Sequence, residues 1–253
     1  PSVPYNSNYE IDFNAEPPIK ALFTDGNIKD LKVTFLSPEE RQLFQARVIY
    51  RHEVVNGFSE RRVLSCKFAN GDPSDGRESF DLSNFCSSRR HAEFFAKYIL
   101  KLRKDVDHGL SFQTTPQAAM YLKPGDYFRL VSESTHTDRF ENGLVSESGA
   151  VQTQGNSVLS NQPIFYWKPG MDAPATTNLT VTDGQANNAN LNGCVFTTNN
   201  TTTTNRVYKV ESLTYAEDGL VELAGSHVPL TSEGKMKTLQ WFNSDGTSMF
   251  LTS

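Results

Sequence analysis

Apolar and polar residues alternate with a period of two along much of the first third of the chain. In the segment that ends at Phe68, Leu64, Cys66 and Phe68 fall on one face and the intervening residues on the other, the pattern of a half-buried strand. Short runs of β-branched and aromatic residues at 32–35 and 46–50 have the same character. The pattern predicts several strands before Phe68.

One segment, residues 88–104, has a helical period instead. Its apolar residues recur at spacings of three and four, and Ser87 or Ser88 is the expected N-cap. The apolar stripe consists of Ala92, Phe95, Ala96, Ile99 and Leu102. The basic residues of the segment are Arg89, Arg90, Lys97, Lys101, Arg103 and Lys104. Because no aromatic stacking platform accompanies these cations, we interpret them as a solvated face and not as a nucleic-acid surface.

The middle of the chain contains a clear turn. Residues 110–122 are predicted to be extended, and Pro124 and Gly125 then occupy the positions that a type II turn prefers. A strand over residues 127–131 is expected to leave that turn.

The strongest hairpin signal lies near the C-terminus. Residues 206–215 and 220–224 are predicted strands joined across Asp218 and Gly219, since Asp-Gly is a favoured hairpin turn. Residues 236–242 are predicted to add one more strand.

A polar tract precedes this hairpin. Residues 170–205 contain no Lys or Arg, and residues 187–205 are dominated by Asn and Thr. Such a tract cannot offset its own ordering entropy by burial. Two interpretations stay open: an exposed insertion, or an extended arm that orders against a neighbouring subunit.

Composition and charge narrow the class of protein. Hydrophobic residues make up 37% of the 253 residues, 17 Phe and 9 Tyr supply most of the large packing groups, and the net charge is −5. We therefore predict a mainly β (α+β) fold with antiparallel or barrel-like sheets and one principal amphipathic helix. The charge argues against binding to nucleic acid or anionic lipid, and no apolar run is long enough for stable membrane insertion.

Candidate chemistry is sparse. The five histidines, His52, His91, His108, His136 and His227, are scattered and form no metal-binding motif. The three cysteines, Cys66, Cys86 and Cys194, include no paired motif, and we expect each to be a buried thiol. Asp72, Asp75 and Glu78 do not match a calcium loop and are interpreted as a polar turn. We predict no catalytic residue, no cofactor and no metal.

Several segments, taken in order, resemble the central tail hub of long-tailed bacteriophages, the tail-tip or host specificity protein J family. Residues 21–28, ALFTDGNI, resemble the LFT-x-x-NI stretch of that family. Its matching positions here are Phe23, Thr24, Asn27 and Ile28. Arg41 followed by residues 47–50, which end at Tyr50, resembles the R…VRY strand of the family.

The resemblance continues through the helix and the turns. Residues 92–100 are similar to the A-x-x-x-A-x-Y-x-L helix, residues 122–130 to the L-x-PGD-x-x-R-V turn and strand, and residues 206–224 to the closing hairpin. The positions concerned are Ala92, Phe95, Ala96, Ile99, Pro124, Gly125, Asp126, Asp218 and Gly219.

The resemblance implies a structural, non-enzymatic virion protein at the distal end of a phage tail. It implies a hub that closes the tail tube, forms a homo-oligomer of three copies and takes part in host attachment and genome delivery. The implied partners are distal tail or tail tube proteins, the tape measure protein and tail fibres. Because the sequence begins at Pro1, we expect it to be a part of a longer polypeptide.

Three regions are expected: a hub core over 1–139 that includes the helix, a β insertion over 140–205, and a closing hairpin with a C-terminal extension over 206–253. The alternative function is a carbohydrate-binding β module without catalysis. Its sugar-stacking rings would be Tyr166, Trp167 and Trp241.

Overall fold

The fold is dominated by strands, as predicted, with 50% strand and 13% helix. The computed structural model describes residues 16–53, 59–71, 76–132, 142–153, 162–198, 206–216 and 219–253. The strands are β1 (Ile19–Thr24), β2 (Ile28–Phe35), β3 (Phe44–Glu53), β4 (Ser59–Phe68), β5 (Gly76–Asp81), β6 (His108–Thr114), β7 (Tyr127–Val131), β8 (Asn142–Val145), β9 (Val151–Thr153), β10 (Gln162–Trp167), β11 (Ala175–Leu179), β12 (Val181–Thr182), β13 (Gln185–Ala186), β14 (Val195–Thr197), β15 (Arg206–Tyr215), β16 (Val221–His227) and β17 (Phe250–Thr252). The helices are α1 (Arg89–Asp105), α2 (Pro116–Ala119) and the 3-10 turns Ala189–Leu191 and Lys237–Leu239.

A six-stranded sheet carries the largest core. Its strand order is β1-β7-β15-β16-β6-β2. All neighbouring pairs are antiparallel except β1 and β7, which run parallel. Phe23 lies at the centre of the core, with ring centroids 4.9 Å from Phe112, 5.4 Å from Phe128 and 6.1 Å from Trp167. Because Trp167 belongs to β10, this core joins the six-stranded sheet to a second sheet.

A four-stranded sheet, ordered β17-β4-β3-β5, packs against helix α1. The alternation predicted for β4 is confirmed, because Leu64, Cys66 and Phe68 are buried. Ser88 caps the helix by accepting a hydrogen bond from the backbone N–H of His91 at 3.3 Å. The helix therefore begins where the sequence predicts and covers one face of this sheet.

A five-stranded sheet, ordered β11-β10-β14-β8-β9, is built from residues 142–197. Its central strand β14 is fully buried. The interpretation of the whole Asn/Thr-rich tract as an exposed insertion is therefore wrong for β14, because Val195 and Phe196 supply apolar side chains within a polar stretch. Residues 199–205 lie outside the described part of the chain.

Other element predictions have mixed outcomes. Strand β7 and the antiparallel pair of β15 and β16 are confirmed. The prediction of an extended segment over 110–122 is wrong beyond Thr114. Pro116 at the N-terminus of α2 favours a helical turn, which Thr115 caps. The predicted strand 236–242 is also wrong, because the segment contains the 3-10 turn Lys237–Leu239.

The three cysteines are buried and unpaired, as expected. Burial raises the pKa of Cys66 to about 11, so its thiol stays protonated at neutral pH. Among the described residues, no helix combines the length and the apolar character that a membrane span requires.

Candidate functional site

The residues of the LFT-x-x-NI stretch form a turn that closes on itself. The amide oxygen of Asn27 accepts a hydrogen bond from the Thr24 backbone N–H at 2.8 Å, and the Asn27 N–H donates to the Thr24 carbonyl at 3.0 Å. The Thr114 hydroxyl donates to the Asn27 carbonyl at 2.8 Å, which fixes the turn to β6. Ile28 begins β2 opposite Thr114. The stretch thus positions β1 and β2 relative to β6.

The Pro-Gly-Asp turn joins β7 to its neighbours. Gly125 has a φ of +96°, which the third position of a type II turn requires. Asp126 accepts from the backbone N–H of Lys123 at 3.0 Å and pairs with the ammonium group of Lys20 at 2.7 Å. The Gly125 N–H also donates to Val210 of β15 at 2.8 Å. Pro124 lies exposed at the tip of the turn.

The motif residues of the helix face the four-stranded sheet, but the buried stripe differs from the prediction. Ala92 and Ala96 are buried, whereas Phe95 and Ile99 are half-buried against the same core as the buried Tyr50. The other buried helix residues are Leu100 and Lys101, and not Leu102. Arg41 donates to the Lys104 carbonyl at 3.0 Å and ties the segment before β3 to the end of α1.

The closing hairpin turns at Gly219, which has a φ of +80°. Its N–H donates to the carbonyl of Ala216 at 3.2 Å, and the Ala216 N–H donates to Leu220 at 2.9 Å. Asp218 lies outside the described residues, as do His136, Asp72 and Asp75 of the earlier candidates. Glu78 pairs with Arg103 of the helix at 3.1 Å, so it holds the helix and β5 together.

The rings required by the carbohydrate-binding alternative do not form an exposed platform. Trp167 is buried in the core between two sheets, and Trp241 is buried beside Phe94 of the helix. Tyr166 is half-buried against the core of the five-stranded sheet. These positions remove the sugar-stacking faces on which that alternative depends.

The basic residues of the helix are largely engaged within the protein, which corrects the prediction of a solvated face without aromatic partners. The ammonium group of Lys97 lies 5.5 Å from the Trp241 ring centroid. The Arg103 guanidinium lies 4.7 Å from the Phe44 centroid, and the Lys104 ammonium 4.7 Å from that of Phe68. Such contacts stabilise the docked helix, while Arg89, Arg90 and Lys104 are its exposed basic residues.

The structure brings three titratable residues together at the start of β6 and the end of β16. The carboxylate Oδ1 of Asp107 lies 2.6 Å from Nδ1 of His108 and 2.7 Å from Nδ1 of His227. The two imidazole rings stack with centroids 4.4 Å apart. Since a carboxylate oxygen only accepts, each imidazole carries its proton on Nδ1 and donates it to Asp107.

The remaining nitrogen of each ring has a different environment. Nε2 of His108 lies 3.0 Å from the Tyr208 hydroxyl and 3.3 Å from Nη1 of Arg206, so it accepts hydrogen bonds. Nε2 of His227 makes no hydrogen bond within the described residues, and His227 lines a cleft of about 290 Å³. The cleft lies between α1 and the six-stranded sheet and is lined mainly by apolar side chains, among them Leu102, Val106, Val228 and Met236.

Burial sets the charges of this cluster. It lowers the pKa of His227 to about 4, with a further contribution from His108, while Asp107 opposes the shift. Burial also lowers the pKa of His108 and raises that of Tyr208 to about 12. Partial burial alone would raise the pKa of Asp107, but hydrogen bonds and charge interactions with the two imidazoles hold it below its ordinary value. At neutral pH both imidazoles are therefore neutral and Asp107 is ionised.

This cluster was not predicted from the sequence. His108 is buried in a strand and His227 is half-buried at the end of another, so the interpretation of these two as scattered polar residues is wrong. The adjacent pair Asp107-His108 was a visible signal. The partner His227 is far away in sequence and approaches only because β16 pairs with β6.

The outer face of the four-stranded sheet, opposite α1, is a second candidate surface. The strand register identifies the residues of this outer face, because Ala46, Val48, Leu64 and Cys66 point to the helix side and the residues between them point away from it. Its charged residues are Arg47, Arg51, Arg61, Lys67, Arg77 and Asp81. Val63 is 49% exposed and Leu251 53% exposed on the same face. We call these eight residues the basic sheet face.

Comparisons with known proteins give distant likenesses of fold. No protein-family model matches the chain, and no curated protein matches it. The structure is similar to a chain from the virion of a native gene transfer agent particle, with a TM-score of 0.44, 12% identity, and coverage of 85% of this chain and 33% of that chain. It is also similar to a tail protein from Neisseria meningitidis MC58, with a TM-score of 0.32, 10% identity, and coverage of 83% and 44%. The chain thus spans less than half the length of either protein.

Proposed function

We propose that the chain is a structural protein of a phage tail tip, the hub that closes the tail tube and holds neighbouring tail proteins and fibres. The ordered resemblance of residues 21–224 to tail hub proteins carries this proposal. The residues that match are those that shape the fold: Asn27 and Asp126 fix turns, and Ala92 and Ala96 dock the helix. Such a protein acts through its contacts and performs no catalysis.

The basic sheet face supports a role in assembly. Five cations and one carboxylate give it four net positive charges, whereas the whole chain has a net charge of −5. The rest of the chain therefore carries nine net negative charges. A second copy of this chain is the occupant that this charge separation favours, because its acidic remainder complements the basic face.

This contact is heterologous, since two different surfaces meet. Heterologous contacts generate closed rings when the rotation between copies closes. A ring of three copies fits the hub role, with tail tube or distal tail proteins on one side, the tape measure protein at its centre and fibres outside. Host attachment and genome delivery would then follow from the position of the ring at the tail end.

Labelled electron micrographs of purified particles test the proposed location. Antibodies raised against the folded chain are expected to bind at the distal end of the tail. Antibody preadsorbed with the purified chain is the matched control and is expected to leave particles unlabelled. Labelling on the capsid, or only in host cytoplasm, would contradict the hub role.

A further inference from the structure

We propose that Asp107, His108 and His227 form a binding site for one divalent transition-metal ion of the zinc class. The three residues each offer a ligating atom, and these atoms lie within 4.8 Å of one another. A tetrahedral centre with bonds of about 2.0 to 2.2 Å needs ligand atoms about 3.3 Å apart. The present Oδ1 to Nδ1 distances are 2.6 and 2.7 Å, so each of these two pairs needs to separate by less than about 1 Å, while the third pair of ligating atoms lies no more than 4.8 Å apart.

The donor set selects the metal. Two imidazole nitrogens and one carboxylate oxygen suit Zn²⁺, Co²⁺ or Ni²⁺, whereas Mg²⁺ and Ca²⁺ prefer oxygen donors throughout. Because each neutral imidazole carries a single proton, metal binding at Nδ1 requires that proton to move to Nε2, and Nε2 of His108 can then donate it to the Tyr208 hydroxyl.

The three proposed ligands come from different elements of the fold, so a bound ion would connect these elements. Asp107 follows the C-terminal end of α1, His108 begins β6 and His227 ends β16. An ion held by all three would join the end of the helix layer to two strands of the six-stranded sheet. Three protein ligands leave a fourth coordination position for water or a small anionic group, and one of the three ligands, His227, also borders the apolar cleft.

One neighbouring charge opposes the ion. Nη1 of Arg206 lies 3.3 Å from Nε2 of His108, and its positive charge reduces the affinity for a cation. We therefore expect a dissociation constant on the order of 1 μM, weaker than closed structural zinc sites.

Calorimetric titration of the metal-free protein with Zn²⁺ tests the site. One ion per chain is expected, and Zn²⁺ at about 100 times its dissociation constant should raise Tm by about 5 °C or more. Asp107→Asn keeps a hydrogen-bond acceptor but removes the anionic ligand, and it should weaken binding at least about 10-fold. His227→Ala should weaken binding at least as much. His91→Ala, on the exposed side of α1, is the matched control and should bind like the wild type.

Two results would overturn the proposal. One is the lack of saturable Zn²⁺ binding by the wild type below about 100 μM. The other is equal binding by wild type, Asp107→Asn and His227→Ala, each shown to be folded by circular dichroism. If either variant fails to fold, Co²⁺ bound to the wild type decides the question: a visible ligand-field absorption that Zn²⁺ abolishes supports the site, and its absence contradicts it.

Discussion

Gly143 lies where β8 meets β9 so closely that a side chain has no space. A Cβ atom at this position would lie directly against the backbone carbonyl oxygen of Gln152, and backbone cannot rotate away as a side chain can. We predict that Gly143→Ala lowers the free energy of unfolding by about 2 kcal/mol or more. Denaturant unfolding followed by circular dichroism measures this change.

The matched control for this substitution is Gly76→Ala in β5. No heavy atom lies within 4 Å of the added Cβ there, and the backbone has no positive φ. Gly76→Ala should change the free energy of unfolding by no more than about 0.5 kcal/mol. Equal stability of the two variants would contradict the close approach of β8 and β9.

Asp126 anchors the Pro-Gly-Asp turn through two different contacts. The bond from the Lys123 N–H stabilises the turn itself, whereas the partner Lys20 is 40% exposed, so its ion pair contributes less. Asp126→Ala should lower the free energy of unfolding by about 1 to 2 kcal/mol. Asp126→Asn keeps the acceptor and should cost less than about 1 kcal/mol. Thermal or denaturant unfolding compares the stability of the two variants. If Asp126→Asn lowers the free energy of unfolding as much as Asp126→Ala, the ion pair with Lys20 dominates.

Residue-level features could be predicted where their cause is local. Gly125 and Gly219 follow from turn geometry, because a positive φ in a short turn favours glycine. The Asp107, His108 and His227 cluster could not be predicted in the same way. Its members meet through the pairing of β16 with β6, and no local pattern specifies which strands become neighbours.

At the scale of elements, the docking of α1 on the four-stranded sheet is the contact most open to test. Phe95 packs edge-on against Phe80, with ring centroids 5.5 Å apart, in the core beneath the helix. We predict that Phe95→Asp lowers the free energy of unfolding by about 3 kcal/mol, because it places an unpaired charge in that core. It should also abolish any soluble trimer.

Phe85→Asp is the control for Phe95→Asp. Phe85 is 82% exposed, so the same exchange there should leave the free energy of unfolding nearly unchanged. Urea titration of both variants makes the comparison. Similar losses in the two would mean that Phe95 does not dock the helix.

Element predictions succeeded where the periodicity was strong and failed where it was short. The helix and β4 carry long, regular patterns, and both were placed correctly. The segment 236–242 has only seven residues, and its apolar positions form too short a pattern to distinguish a strand from a 3-10 turn. Parallel pairing of β1 with β7 was also beyond prediction, because the two strands are distant in sequence and no turn connects them.

At the scale of the whole molecule, the order of the sheets supports the proposed insertion over residues 140–205. The strands β7 and β15 flank this region in sequence and are neighbours in the six-stranded sheet. The region between them supplies all strands of the five-stranded sheet. We therefore retain the proposal of a hub core over 1–139 and 206–253 that is interrupted by a β unit.

The separation of charge gives a prediction for assembly. Arg47→Glu combined with Arg61→Glu reverses two exposed charges on the basic sheet face, and it should weaken self-association at least about 10-fold. Arg90→Glu, exposed on the helix, is the control and should leave association unchanged. Sedimentation of each variant over a range of concentrations and salt measures the effect. Tighter association of the double variant would contradict contact through this face.

The central claim is that the chain works by assembling with copies of itself, and its molar mass in solution tests this most directly. Size-exclusion chromatography with light scattering should give three times the 28.3 kDa of one chain at low salt. A mass of 28.3 kDa at every concentration would contradict the account.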